Sequence, residues 1–157
     1  MKRILIILFA LAALPIAMAA QNKEINDILD KYEKRKSVES VTISSDLLAM
    51  AGKGNDWGGK ISKIRIVSVD SNVTENNVPV RVELKRDMDE LVLKFKFISA
   101  LKVKDGNDEV EMYINQNKSG ALLFLNSSKE EFAVIAMFGN IDDKLIQTAL
   151  KGGISIK

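Results

Sequence analysis

The sequence predicts an α+β fold: a mainly antiparallel sheet of about six strands, with a C-terminal four-strand meander and packed helices, after a cleaved N-terminal signal peptide. Three observations predict it. Apolar residues recur at three- and four-residue steps in separate stretches, which marks amphipathic helices. From about Ile98 the period changes to two and holds through four successive segments, which marks strands. The first nineteen residues follow neither pattern. There Lys2 and Arg3 precede an unbroken apolar run from Ile4 to Leu14, Pro15 breaks it, and Ala17-Met18-Ala19 has the small-x-small form read by signal peptidase. The run is short for a bilayer span, which needs about 20 residues. Cleavage after Ala19 is therefore expected, with residues 20–157 forming a single α+β domain and leaving no integral membrane span.

The elements follow in order. Residues 23–35 read as a helix carrying Ile25, Ile28, Leu29 and Tyr32, with Asn22 as its N-cap. Ser37 to Ser44 reads as a strand with Val41 and Ile43 on one face. Ser44-Ser45-Asp46 offers caps for a short helix from Leu47 to Ala51 that Gly52 ends. Residues 52–60 form a glycine-rich loop, and Ile61 to Val69 is a second strand in which Ile64 and Ile66 alternate with Lys63 and Arg65. Asp70 to Val78 is polar and turn-like. Pro79 fits the first position of a long helix whose stripe is Val80, Leu84, Met88, Leu91 and Phe95. Leu91 to Ile98 fits a strand as well as a helix, so that junction stays open. Strands are expected at 98–104, 109–116, 121–126 and 132–138, then a helix opened by Asp142-Asp143 and stopped by Gly152-Gly153.

Registers can be read from chemistry. A two-residue turn at Gly106-Asn107 sets Lys104 against Glu109 and Lys102 against Glu111, with Val103 against Val110 and Leu101 against Met112 behind them. A turn at Asn117 to Gly120 sets Ile114 against Leu123 and Met112 against Leu125. A turn at Asn126 to Glu131 sets Leu123 against Val134 and Leu125 against Phe132. Those registers make one apolar face. They also place Tyr113, Leu122, Phe124, Ile135 and Met137 together on the other. Both faces then need cover. Helices are expected over both in part, and whatever stays bare is a candidate interaction surface for a partner or for self-association.

Composition narrows the chemistry. The chain has 157 residues and no Cys or His. That removes thiolate nucleophiles, disulfides, imidazole bases, Cys-anchored lipid and the usual zinc ligands. Its 23 basic residues lose Lys2 and Arg3 with the leader, leaving 21 against 21 acidic ones. A neutral, mixed surface offers no electrostatic case for nucleic acid or an anionic membrane.

Individual motifs are weak. Gly54 to Lys60 has the glycine and lysine frame of a phosphate loop, but Ile61 stands where a hydroxyl should hold magnesium, and a strand follows rather than a helix. Asp56 and Trp57 in that loop form a candidate ligand loop, since a lone Trp there either stacks on a ligand or anchors the loop. Asp105 to Glu109 has calcium-loop composition without the spacing. The acid pairs Asp87 with Glu90 and Asp142 with Asp143 read as solvated helix charges, the second complementing a helix N-terminus. Ser62 and Lys63 point to opposite faces of a strand and cannot form a dyad. The sequons at Asn72, Asn117 and Asn126 read as turns.

The ordered set of pieces carries a resemblance. Ser37 to Ser44 with Leu47 and Met50 behind it, Ile61 to Ile66, Asp105-Gly106 before Val110 to Ile114, and Phe132 to Phe138 followed by Gly139-Asn140-Ile141 together resemble an exported Bacteroidetes family, domain of unknown function 4252. Phe95 to Leu101 departs from the Tyr-Glu-type strand entry such a chain is expected to carry. The resemblance implies a small envelope protein, with genes often near sigma-factor genes and hence a link to envelope stress or signalling. It carries no catalytic residues and no cofactor.

The sequence thus leads to the expectation of an exported protein, periplasmic, envelope-associated or secreted, that is not an enzyme. No catalytic, cofactor-binding or metal residues are assigned, and the expected partner is an envelope protein or a small apolar ligand. The alternative is a periplasmic hydrolase using carboxylates near the 52–60 loop.

Overall fold

Alternating and helical periodicities sort the described residues into four helices, a large sheet and a two-strand ribbon. A computed structural model describes residues 20–51, 53, 59–115 and 120–151. The elements are α1 (20–33), β1 (Val38–Ile43), α2 (Ser45–Ala51), β2 (Ile61–Asp70), β3 (Thr74–Glu75), β4 (Val78–Pro79), α3 (Val80–Lys94), β5 (Ile98–Asp105), β6 (Asp108–Ile114), β7 (Gly120–Ser127), β8 (Glu131–Gly139) and α4 (Asp143–Leu150). Six strands form one sheet in the order β1-β2-β8-β7-β6-β5, with every neighbouring pair antiparallel. The C-terminal strand β8 therefore joins the meander to the earlier β1–β2 pair. β3 and β4 form a separate two-strand ribbon.

The starts of the first and the long helix differ from expectation, and the junction left open after Leu91 is settled. The first helix already runs at residue 20, so Asn22 lies inside it and accepts a bond from Asn26 at its carbonyl rather than capping. Pro79 is the N-cap of α3, not its first residue: its ψ of 121° keeps it extended and paired with Thr74. The polar stretch before it closes through Asn76 and Asn77, both in left-handed geometry (φ 51° and 64°), as a two-residue hairpin turn requires. The open junction after Leu91 is settled as helix. α3 runs to Lys94, and Lys96 turns the chain at φ 53°. The Phe97 amide then donates to the Val92 carbonyl at 3.0 Å and the Lys96 amide to Leu93 at 3.2 Å, a Schellman ending built without glycine.

The β5–β6 register is the one the charges predict: Lys104 faces Glu109, Lys102 faces Glu111, Val103 faces Val110 and Leu101 faces Met112. The β6–β7 register is corrected by one residue. Ile114 faces Leu122 and Met112 faces Phe124. The reason is parity. An even-membered turn sets Ile114 against Leu123, whereas the observed pairing needs an odd-membered connection. A one-residue slip exchanges the two faces. The β7–β8 register moves by two, to Leu123 against Ala136 and Leu125 against Val134, so its side chains keep their faces. That hairpin is tightened by Ser128, whose Oγ accepts from the amides of Glu130 and Glu131.

Each face of the sheet has its own core. On one, Ile25, Leu29 and Tyr32 of α1 and Val80, Leu84, Met88 and Leu91 of α3 pack on Val67, Leu123, Leu125, Val134 and Phe138. On the other, Leu48 of α2 and Leu145 and Ile146 of α4 pack on Ile64, Met112, Leu122 and Met137. Asp142 caps α4, accepting from the Leu145 amide at 2.8 Å, and Lys60 lies 2.7 Å from its carboxylate. Gly139 (φ 151°) lets β2 enter beside β8: a Cβ there would stand 2.0 Å from the Lys60 carbonyl oxygen.

Candidate interaction surface

Pairing across the sheet lines up residues that share a face. Beneath α2 and α4 runs the row Ile43, Ile64, Met137, Leu122, Ile114 and Ile98. Its centre is sealed, with Ile64, Met137 and Leu122 buried. The next row on the same face is Val41, Ile66, Ile135, Phe124, Met112 and Leu101, one residue from each strand. Here Met112 is buried, Ile66, Ile135, Phe124 and Leu101 are half-buried, and Val41 is 52% exposed. This row is an apolar strip that the two helices only partly cover. The short helix leaving β1 adds Leu47 and Met50, exposed at 55% and 72%. Apolar area left in contact with water across four adjacent strands, from Val41 through Ile66 and Ile135 to Phe124, is what a binding surface offers.

The structure redistributes the sequence-derived site. Phe124 and Ile135 lie in the half-open row. Leu122 and Met137 belong to the candidate surface's face but are buried under the helices, so they are core rather than contact residues. Tyr113 is on the opposite face, paired with Leu123, and so leaves the surface altogether. Its hydroxyl donates to Glu111 at 3.1 Å, and burial, followed by the Glu111 charge, pushes its pKa up to about 12. Asp56 and Trp57 lie outside the described residues. Sequence reasoning missed Ile66 and Leu101 as members of the strip. Side-chain size offers no signal for the register: the observed Met112–Phe124 and Ile114–Leu122 pairs are large and apolar, and so are the expected Met112–Leu125 and Ile114–Leu123.

Charged groups are committed elsewhere. Asp87 is not a freely solvated helix charge: it accepts from the Tyr32 hydroxyl and from Lys31 Nζ, both at 2.7 Å. Burial raises the Asp87 carboxyl, but the bonds from Lys31 and Tyr32 outweigh it, and its pKa falls below the ordinary 3.8. Arg35 stacks 4.6 Å from the Tyr32 ring centre and bonds Glu83 at 2.8 Å. Arg65, on the strand face opposite Ile64 and Ile66, is 6% exposed beneath α1, where it meets Asp30 at 2.7 Å, Glu33 at 2.6 Å and Asn26 at 2.9 Å. A shallow depression beside α3 holds Arg81 and Lys85. Lys85 is engaged by Asp89, and Arg81 points at backbone carbonyls. Among the described residues, no three acids gather as a metal site, and no helix is long and apolar enough to cross a membrane.

Comparison with known proteins supplies a family but no activity. A family model described as a domain of unknown function (DUF4252) matches residues 32–149, from the end of α1 to the last turn of α4. No curated protein and no solved structure matches the chain.

Proposed function

The chain belongs to the domain of unknown function 4252 family, and from that premise we propose that it is an exported envelope module acting by binding rather than catalysis. The observation that carries the reading is the half-covered strip Val41, Ile66, Ile135, Phe124 and Leu101. Its ligand class is apolar: the side chain of an envelope protein or a small apolar molecule. The leader pattern at residues 1–19 supports export, and a chain without His or Cys has few nucleophiles and bases to offer. A link to envelope stress signalling belongs to the same proposal and rests on the family resemblance alone.

The test places a photo-crosslinking side chain at Phe124 or Ile135, with Lys129 as control, in a diderm host. The expected result is a discrete adduct from the two strip positions and a chain shortened by residues 1–19 in the periplasmic fraction. Adducts no stronger than those from Lys129 would overturn the binding reading. An intact leader on a cytoplasmic chain would overturn export.

A further inference from the structure

A sheet of this kind has two edges, and an edge exposes a row of unpaired backbone donors and acceptors. The two edges here are built differently. β5 carries Lys102 and Lys104, and its pairing with β6 is interrupted between Ser99 and Leu101. Lys102 is held by Glu109 at 3.0 Å and Glu111 at 2.9 Å, which fixes charge at that border. Lysines and irregular pairing are the devices that keep an edge from accepting another strand.

β1 has none of them. Val38–Ile43 contains no Lys, Arg, Pro or Gly, and four of its six residues are β-branched. Its six pairs with β2 run without a shift. Glu39 to Thr42 are all exposed, and among the described residues β1 pairs with β2 alone. Here the half-covered apolar strip reaches its end, at Val41.

We propose that β1 docks against β1 of a second copy of this chain, joining two six-stranded sheets into one continuous antiparallel sheet. A two-fold axis normal to the sheet relates the copies, so facing residues must share a face. Two centred registers satisfy that with good overlap. One centres on Ser40 and sets Val41 against the partner's Glu39, which interrupts the strip with charge. The other sets Val41 against the partner's Val41 and Ser40 against the partner's Thr42. It joins the two strips into one apolar row and pairs hydroxyls on the opposite face. The second register is the one assigned. Backbone pairing supplies affinity, and the Val41 contact supplies register. This names one occupant for the edge of the proposed binding surface. It rests on the edge backbone and not on export, so the two readings fail separately.

The experiment is sedimentation of the purified chain, as the cell processes it, from low to several hundred micromolar, together with hydrogen exchange at each concentration. The expected result is a mass rising to twice that of one chain, with the β1 amides gaining protection as it does. Val41→Lys sets like charges opposite one another, and Thr42→Pro removes a backbone donor; each should weaken the dimer at least tenfold. Both sites are exposed, and circular dichroism checks that the variants fold. Val103→Lys, on the other edge, should leave the dimer unchanged. A chain that stays monomeric overturns the proposal. So does a dimer that survives Val41→Lys and Thr42→Pro, one dissolved by Val103→Lys, or β1 protection that persists in the monomer and marks another occupant.

Discussion

Both faces of the sheet carry an apolar core, yet one is closed and the other is half open. The closed face lies under α1 and the 15-residue α3, each about 20 Å long at 1.5 Å per residue. The open face lies under α2 and α4, of seven and eight residues, each only about 10–12 Å long. Six strands at about 4.8 Å spacing span about 24 Å. Two short helices leave part of that surface bare however they lie. Helix length thus decides how much of each face is covered. The closed face is also pinned by polar links: Tyr32 and Lys31 of α1 reach Asp87 of α3, and Arg35, just past α1, reaches Glu83. On the open face Lys60 reaches Asp142 at 2.7 Å, with both residues half-buried.

The comparison can be broken by truncation. Leu123→Ala on the closed face should cost about 2–5 kcal/mol, because Leu123 is fully buried and its loss leaves a cavity. Phe124→Ala, its chain neighbour pointing the other way, should cost less, roughly half as much, because Phe124 is already partly exposed to water. Urea midpoints of the two variants measure the difference. Equal losses would mean that the strip is ordinary core.

Acid separates the faces next. The Asp87 pKa is depressed in the folded state, so its contribution is present above the ordinary 3.8 and is lost as pH falls through the folded value. At neutral pH Asp87→Asn should cost on the order of 1–2 kcal/mol. That gap between wild type and variant should shrink below about pH 4, as seen in urea midpoints across pH. A gap that stays constant into acid would remove Asp87 as a charged link between α1 and α3. The smallest effect expected is a gain. Lys96 holds φ 53°, so Lys96→Gly should stabilise the end of α3 by up to about 1 kcal/mol, read as a raised thermal midpoint.

Local patterns carried most of the element list. The β5–β6 register was legible because Gly106-Asn107 permits a two-residue turn, Gly106 taking φ 61°, and the charges then pair on one side. The next register was not legible, because parity depends on the length of the connection after Ile114, and composition does not count turn residues. That single step moved Tyr113 across the sheet and brought Met112 into the core under α2 and α4. Arg65 was not legible for another reason. In an alternating strand it looks solvated, and only α1 lying across β2 buries it among Asn26, Asp30 and Glu33. Asp87 likewise looks like a surface charge until Tyr32 is placed against it.

The amino-acid sequence by itself determined the helical and alternating segments, the charge-matched hairpin and the apolar character of both faces of the meander. These are local properties, set by periods of 3.6 and 2 and by turn chemistry within a few residues. The tertiary structure alone decided that β8 pairs with β2, that β1 and β5 are the edges, and that α2 and α4 cover one row and leave the next half open. Those outcomes depend on contacts between residues far apart in the chain, where loop parity and helix placement choose among arrangements that the local pattern favours equally.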